Sequence, residues 1–355
     1  MATTDKKYKI LFKKEPKEHM PDLPPVSELR GKSRASEYNK IRDAIGNPEL
    51  GETERNKALK ELESFVDDRN ADEIVDFLLH FRKDPVIDVG TLMTLGEIAK
   101  KDIPKKVREK IMDSLSEAAS WEDVGSPITA VRVLGSFRGP AVKRLVKLLD
   151  SKNFGVSMQA TNEILNIDKE AIKPLLELFV DANEAVEVRS AVGMFLAVPS
   201  SDEAGLEVQN LLRRDSRLAK GIVDSMSEDD ISVKSKAVEI ACYASDMDAI
   251  RKLGKIANDE SEEDILKTLA LLSLAGIGQR KDTGHKECDE IIFTLLPLLE
   301  SHVYYTKVVG VMAEVAKNHE SALDYLISIA QDPDYSIKIR AGANYAINVA
   351  ILTIH

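Results

Sequence analysis

AIKPLLELFVDANEAVEVRSAVGMFLAV, residues 171–198, is the stretch on which the fold turns, because its two halves return elsewhere with the polar letters changed. The first half recurs as AIRKLGKIAND from Ala249 and as ALDYLISIAQD from Ala322. Each copy keeps Ala, then aliphatic residues one, four and seven places on, then Asp. In the first copy these are Ala171, Ile172, Leu175, Leu178 and Asp181. Such offsets fall on one face of a helix turning every ~3.6 residues. The Asp stands where that helix should stop and is expected to bond the free N–H groups of the next one. AVKRLVKLLD, from Ala141, is a fourth copy with Asp150 one place early.

The second half repeats as well. VEVRSAVGMFLAV (186–198) matches IKIRAGANYAINV (337–349): aliphatic, one residue, aliphatic, Arg, then small residues. ISVKSKAVEIACYA (from Ile231) places Lys234 where the others have Arg, and ITAVRVLGSF (from Ile128) places Arg132 there. Small residues such as Ala191, Gly193, Ala341 and Ala343 allow neighbouring helices to approach closely. Each unit therefore reads as a helix, a short acidic turn and a second helix. One such pair cannot bury its apolar stripe alone, but it can against a copy of itself. Unit starts fall near residues 111, 141, 171, 218, 249, 291 and 322. Two places are longer: 200–220, which reads as an added helix, and GIGQRKDTGHKEC (276–288), which reads as a surface loop.

With PLLE at Pro174 and Pro297, the turn Asp, and the V-R or I-R pair opening the second helix, the sequence resembles the HEAT-repeat family, in its short repeats of PBS-lyase type. The resemblance covers roughly residues 70–355, with 36–69 as a cap. It implies an all-α, right-handed α-solenoid of about eight helix pairs over residues 36–355. It also implies a repeat-to-repeat ladder of Asp and Arg, here Asp181, Arg189, Asp332 and Arg340. Several units lack the Arg.

Composition agrees with this architecture and narrows function. The chain has 355 residues, 43% hydrophobic but only 5% aromatic, so the core must be built from Leu, Ile, Val and Ala. Two cysteines, Cys242 and Cys288, are too few for a disulfide framework, and a reducing cytosol is the expected compartment. No apolar run reaches the ~18 residues of a membrane span, and the first residues lack the apolar core of a secretory signal. The net charge of −11 divides into +5 over residues 1–42 and −16 over the rest. An acidic body repels nucleic-acid phosphates, so a nucleic-acid partner is not expected. Residues 1–35 read as a flexible basic tail broken by Pro16, Pro21, Pro24 and Pro25. Within it YKILFKK (8–14) offers Ile10, Leu11 and Phe12 as apolar anchors.

Chemistry-bearing motifs are sparse. There is no phosphate loop, nucleophile elbow or H-E-x-x-H zinc helix in the sequence. His285 and Cys288 make one H-x-x-C pair, too few ligands for a closed zinc site. His319–Glu320 is a single His-Glu pair, whereas the HEAT-like deoxyhypusine hydroxylases hold two irons with several. No cofactor is expected. The sequence therefore points to a non-catalytic protein-interaction scaffold whose concave surface, lined by second helices, meets a protein partner of basic charge. The competing class is an accessory enzyme or enzyme subunit, of bilin-lyase type or with a cryptic metal site. At the carboxyl end, YAINVAILTIH carries apolar residues around most of its helix. Ile351, Leu352 and Ile354 are candidate contacts to a second copy of the chain.

Overall fold

The structure, a computed structural model, describes residues 32–354 apart from positions 85, 122–125 and 245, with side chains placed over 36–352. The chain forms two compact units, Met1–Phe137 and Arg138–His355, a division that the uniform periodicity of the sequence did not signal. Ile10, Leu11 and Phe12 lie outside the described residues, as does the side chain of Ile354.

The first unit holds three antiparallel pairs. They are α1 (Lys32–Gly46) with α2 (Glu52–Glu63), α3 (Ala71–His80) with α4 (Asp88–Ala99), and α5 (Lys105–Ala118) with α6 (Pro127–Gly135). Second helices pack in sequence, α2 on α4 and α4 on α6, while α3 packs on α5.

The second unit begins with α7 (Val142–Lys147), entered through a 3-10 turn at Gly139–Ala141, and α8 (Phe154–Ile167). Then come α9 (Lys169–Val180) with α10 (Val186–Ala197), the added helix α11 (Asp202–Arg214), and α12 (Ser216–Ser225) with α13 (Ile231–Ile240). The last three pairs are α14 (Met247–Asn258) with α15 (Asp264–Gln279), α16 (His285–Leu295) with α17 (Tyr305–Asn318), and α18 (Glu320–Gln331) with α19 (Ile337–Ile354). Second helices α10, α13, α15, α17 and α19 each pack on the next, and first helices α9, α12, α14, α16 and α18 do the same. Three pairs in the first unit and six in the second exceed the eight expected by one. No strand occurs among the described residues.

Burial follows the repeat. Ala171, Ile172, Leu175 and Leu178 of α9, and Ala249, Ile250, Leu253 and Ile256 of α14, are all buried. In α18 the stripe is Ala322, Leu326 and Ile329, with Leu323 half-buried. Each buried Leu or Ile contributes about 1.5–3 kcal/mol, and only the neighbouring pair provides the apolar wall. Close approach of second helices relies on glycine. A Cβ on Gly193 would sit 2.7 Å from Cβ of Lys236 on α13, and one on Gly278 would sit 2.3 Å from a methyl of Val315 on α17.

Three local readings are corrected. The 276–288 segment is mostly helix: α15 continues to Gln279 and α16 starts at His285. The short connection is tied down by the Thr283 hydroxyl, which donates to the Ile277 carbonyl at 2.6 Å. The start placed near residue 111 lies inside α5, which begins at Lys105. Asp181, Asp259 and Asp332 do not cap the helix that follows, whereas Asp230 does cap α13; Asp181 and Asp259 end their own helices and fold the chain back locally. In each turn the carboxylate accepts the N–H two residues on: Asn183 at 3.0 Å, Ser261 at 2.9 Å, and Asp334 on Asp332 at 2.8 Å. The carbonyl of the same residue accepts the N–H three residues on. This is an Asx turn, and it uses the carboxylate before the next helix has begun. Asn47 and Asp84 make the same turn in the first unit.

One conformation repeats for which the sequence held no signal. Arg138 and Asp168, thirty residues apart, have φ of 57° and 56°. Neither is glycine, so each carries about 1–3 kcal/mol of backbone strain. Bonds to the next connection hold them. Asp168 accepts Ser200 and Ser201 hydroxyls at 2.7 Å, and Arg138 pairs with Glu170 at 2.7 Å.

Candidate functional site: the face of the second helices

Eight residues after the turn Asx, at the start of the second helix, stands a cation in four units: Arg55, Arg189, Lys267 and Arg340. Arg189 is buried; its Nε donates to the Phe179 carbonyl at 2.7 Å, at the end of its own first helix. Its other nitrogens cross to the next unit, reaching Glu228 at 2.6 and 2.9 Å and Ser225 at 3.0 Å. Arg55 does the same in the first unit, with Nε on the Ile45 carbonyl at 2.8 Å and Nη2 on Asp84 at 2.6 Å. Lys234 pairs forward with Glu262, and Lys267 donates to the Glu260 carbonyl at 3.4 Å.

Arg55, Arg189 and Lys234 thus reach from the beginning of one second helix to the turn of the following unit, whereas Lys267 closes on the turn of its own. Asp181 and Asp332 sit in the turns just before Arg189 and Arg340, within the same units, and bond the N–H groups of Asn183 and Asp334. Asp181 binds Asn183, which holds its carboxyl below the usual carboxylate range, and the Nε of Arg340 is buried without a hydrogen-bond partner. Arg132 is exposed. The acids Glu228 and Glu262 and the cation Arg55 escaped the sequence reading. An Asn or Asp followed eight places on by Arg or Lys would have found Arg55.

With the cations tied down, the remaining face of the second helices is apolar in rows. Met194, Leu272 and Tyr345 occupy equivalent places on α10, α15 and α19 and are 56%, 62% and 53% exposed. Between them stand Glu239 on α13, paired with Lys236 at 2.8 Å, and Gly310 on α17, which faces open space. The carboxyl end supplies Ile351 and Leu352, both exposed on α19.

His285 and Cys288 stand on first helix α16 and His319 at the start of first helix α18, whereas Cys242 lies in the 3-10 turn that ends α13. Cys288 is buried and its thiol is pushed up to about 12, while Cys242 is pushed up to about 11 by burial. Both are protonated at neutral pH and so poor as ligands or nucleophiles. His285 Nδ1 meets the Ser321 hydroxyl at 2.7 Å, and His319 Nε2 meets the Gly278 carbonyl at 3.0 Å, each as part of a repeat contact. A hollow of about 590 Å³ beside α11 is lined by Ser200, Leu206, Cys242, Tyr243 and Arg280. Burial lifts the Tyr243 hydroxyl to about 12, and the Arg280 guanidinium is committed to the Cys242 and Ala244 carbonyls at 3.0 and 2.7 Å. Among the described residues no three His, Cys, Asp or Glu converge as a metal site, and no helix is long and apolar enough to cross a membrane.

No family model and no curated protein matches the sequence. Among solved structures the chain is similar to yeast importin-β (Kap95p), at 14% identity over 89% of this chain and 46% of that one, with a TM-score of 0.38. It is similar also to UNC-45 from Drosophila melanogaster, at 16% identity over 89% and 52%, TM-score 0.39. A third is human deoxyhypusine hydroxylase, at 10% identity over 90% and 98%, TM-score 0.31. The chain spans about half the length of the first two. These are likenesses of stacked helices; the architecture of this chain rests on its own repeating pairs, turns and inter-unit cations. By that architecture each compact unit is an all-α stack of antiparallel helix pairs, the arrangement of an α-solenoid.

Proposed function

We propose that the protein is a non-catalytic interaction scaffold whose binding surface is the exposed face of the second helices. The observation that carries this reading is the row of Met194, Leu272 and Tyr345, each more than half exposed at the same place in its repeat. Isolated exposed apolar residues need no explanation, but three at one repeat position, on alternate second helices, support a contact surface. The surrounding acidity supports a partner of basic charge, which would be steered to it and held in register. A cytosolic setting fits two protonated, unpaired cysteines. A second copy of the chain is the subsidiary proposal for α19, through Ile351 and Leu352; a mass measurement on a chain ending at Asn348 tests it, and an unchanged oligomeric state removes it.

The scaffold reading is tested by affinity capture with quantitative mass spectrometry, comparing the native protein with Met194→Ser/Leu272→Ser/Tyr345→Ser. Reproducible partners lost by the triple variant support it. Partners held equally by both variants would place binding elsewhere.

A further inference from the structure

An exposed branched aliphatic residue stands at or beside the start of each second helix from α10 to α19: first in α10, α13 and α19, second in α15, and two places ahead of α17. Val186, Ile231, Ile265, Val303 and Ile337 occur once per unit, with exposure rising from 39% at Val186 to 77% at Ile337. The turns immediately before them, residues 181–185, 226–230, 259–263, 300–304 and 332–336, contain twelve Asp or Glu and no Lys or Arg. These helix openings form one continuous edge. Arg189 reaches Glu228, Lys234 reaches Glu262, the Tyr304 hydroxyl donates to Asp264, and Ser336 and Lys338 reach Glu300. Each of those bonds joins the start of one second helix to the start of its neighbour. Arg189 and Lys234 use up Glu228 and Glu262, whereas Asp229, Glu260, Glu263 and Asp334 stay exposed.

We propose that this edge docks an extended polypeptide segment rich in Lys and Arg, with an apolar residue at every third position. The proposal rests on the scaffold reading above and names where and what the partner is. Two magnitudes select the spacing. Packed helices lie about 8–10 Å apart, so one aliphatic residue is presented at each such step. A chain in the polyproline II conformation has three residues per turn and rises about 3.1 Å per residue. Every third side chain therefore returns to the same side after about 9.3 Å, in step with the helices. A strand, with a period of two, loses register with the row, because its same-side residues recur at about 6.6 Å. The two residues between apolar contacts then project toward the turns, where an acidic edge without a single Lys or Arg in its turns accepts cations. A nucleic acid or an acidic peptide would meet repulsion at the same place.

The probe is a labelled fifteen-residue peptide of five Leu-Lys-Lys repeats, read by fluorescence anisotropy against the full-length protein at physiological ionic strength. Its control is an isomer of the same composition with all five leucines at one end. The repeating peptide is expected to bind at least tenfold tighter than the isomer. Ile265→Ser/Val303→Ser is expected to cost at least tenfold, and Glu260→Gln/Glu263→Gln a similar factor. All four side chains are exposed, so the fold is retained, and a thermal melt verifies this. Equal binding of the two peptides, or unchanged binding by the Ser pair, would reduce the attraction to bulk charge and overturn the proposal. If the peptide fails to bind while Met194→Ser/Leu272→Ser/Tyr345→Ser still loses captured partners, the edge is wrong and the scaffold reading stands. If neither assay responds, both fall.

Discussion

Arg189 grips Glu228 through two nitrogens, at 2.6 and 2.9 Å, although 39 residues separate them. The same guanidinium closes on the Phe179 carbonyl behind it, so one side chain fastens a second helix both to its own first helix and to the next unit. Arg55 repeats the arrangement with Ile45 and Asp84. A solenoid touches only its neighbours, and these cations are where neighbours become one body.

Arg189→Ala should therefore be costly. It strands the Phe179 carbonyl, the Ser225 hydroxyl and a half-buried Glu228, and breaking such a pair costs about 3 kcal/mol or more. The urea midpoint of the native protein against the variant measures it. Arg189→Lys should recover only a fraction, since an ammonium cannot meet Phe179, Ser225 and Glu228 together.

Gly278→Ala should destabilise despite the better helix propensity of alanine, worth about 1 kcal/mol. The new Cβ would lie 2.3 Å from Val315, and overpacking of this kind costs about 1–3 kcal/mol. Combining it with Val315→Ala should recover part of the loss. Thermal melts of the two single variants and the double variant close the cycle; additivity would mean the glycine is not there for the approach of α17.

Acid should weaken the turns. The Asp181, Asp230 and Asp259 carboxyls are held below the ordinary value of 3.8, Asp181 first by the Asn183 N–H, Asp230 and Asp259 first by the Ser232 and Ser261 hydroxyls. Because the folded value is the lower one, their contribution is complete above 3.8 and is lost as pH falls through the folded value. The melting temperature should thus drop as pH is taken below about 4. Asp259→Asn should keep the turn, as Asn47 does in its own, and flatten part of that dependence. An identical pH profile would show that Asp259 contributes nothing to it.

Thiol reagents should find the native protein nearly inert at neutral pH. Cys288 is buried and Cys242 half-buried, and both thiols are pushed above the ordinary range. Reaction with a disulfide reagent should accelerate by orders of magnitude on denaturation. Rapid native labelling of either cysteine would contradict the packing of the α15 and α16 repeats.

Much of this architecture was legible because the apolar letters of α9, α14 and α18 survive while their polar letters drift. Burial constrains Ala171, Leu175 and Leu178 to one face, and the same constraint acts at Ala249 and Ala322. The added helix α11 showed only as extra length between two unit starts, since 200–220 copies no other segment. The inter-unit cations were half legible: Arg189 stood out, but its acid could not be named, because Glu228 lies 39 residues away in a turn of different length. Asp181 misled, since a carboxylate at the end of a helix serves an Asx turn as well as a cap, and only the length of the turn decides. The Asx turns at Asn47 and Asp84 and the strained Arg138 and Asp168 have no residue type that announces them. The exposed rows were hidden in the same letters as the core, for a periodic sequence does not say which aliphatic residue faces a neighbour and which faces water.

The most direct measurement of the central claim is amide hydrogen exchange on the native protein, alone and with a partner obtained by affinity capture. Binding to the face of the second helices predicts slowed exchange in 186–198, 231–240 and 264–279, with first helices α9, α12 and α14 unchanged. Protection confined to those first helices, or none in the second helices, would contradict it.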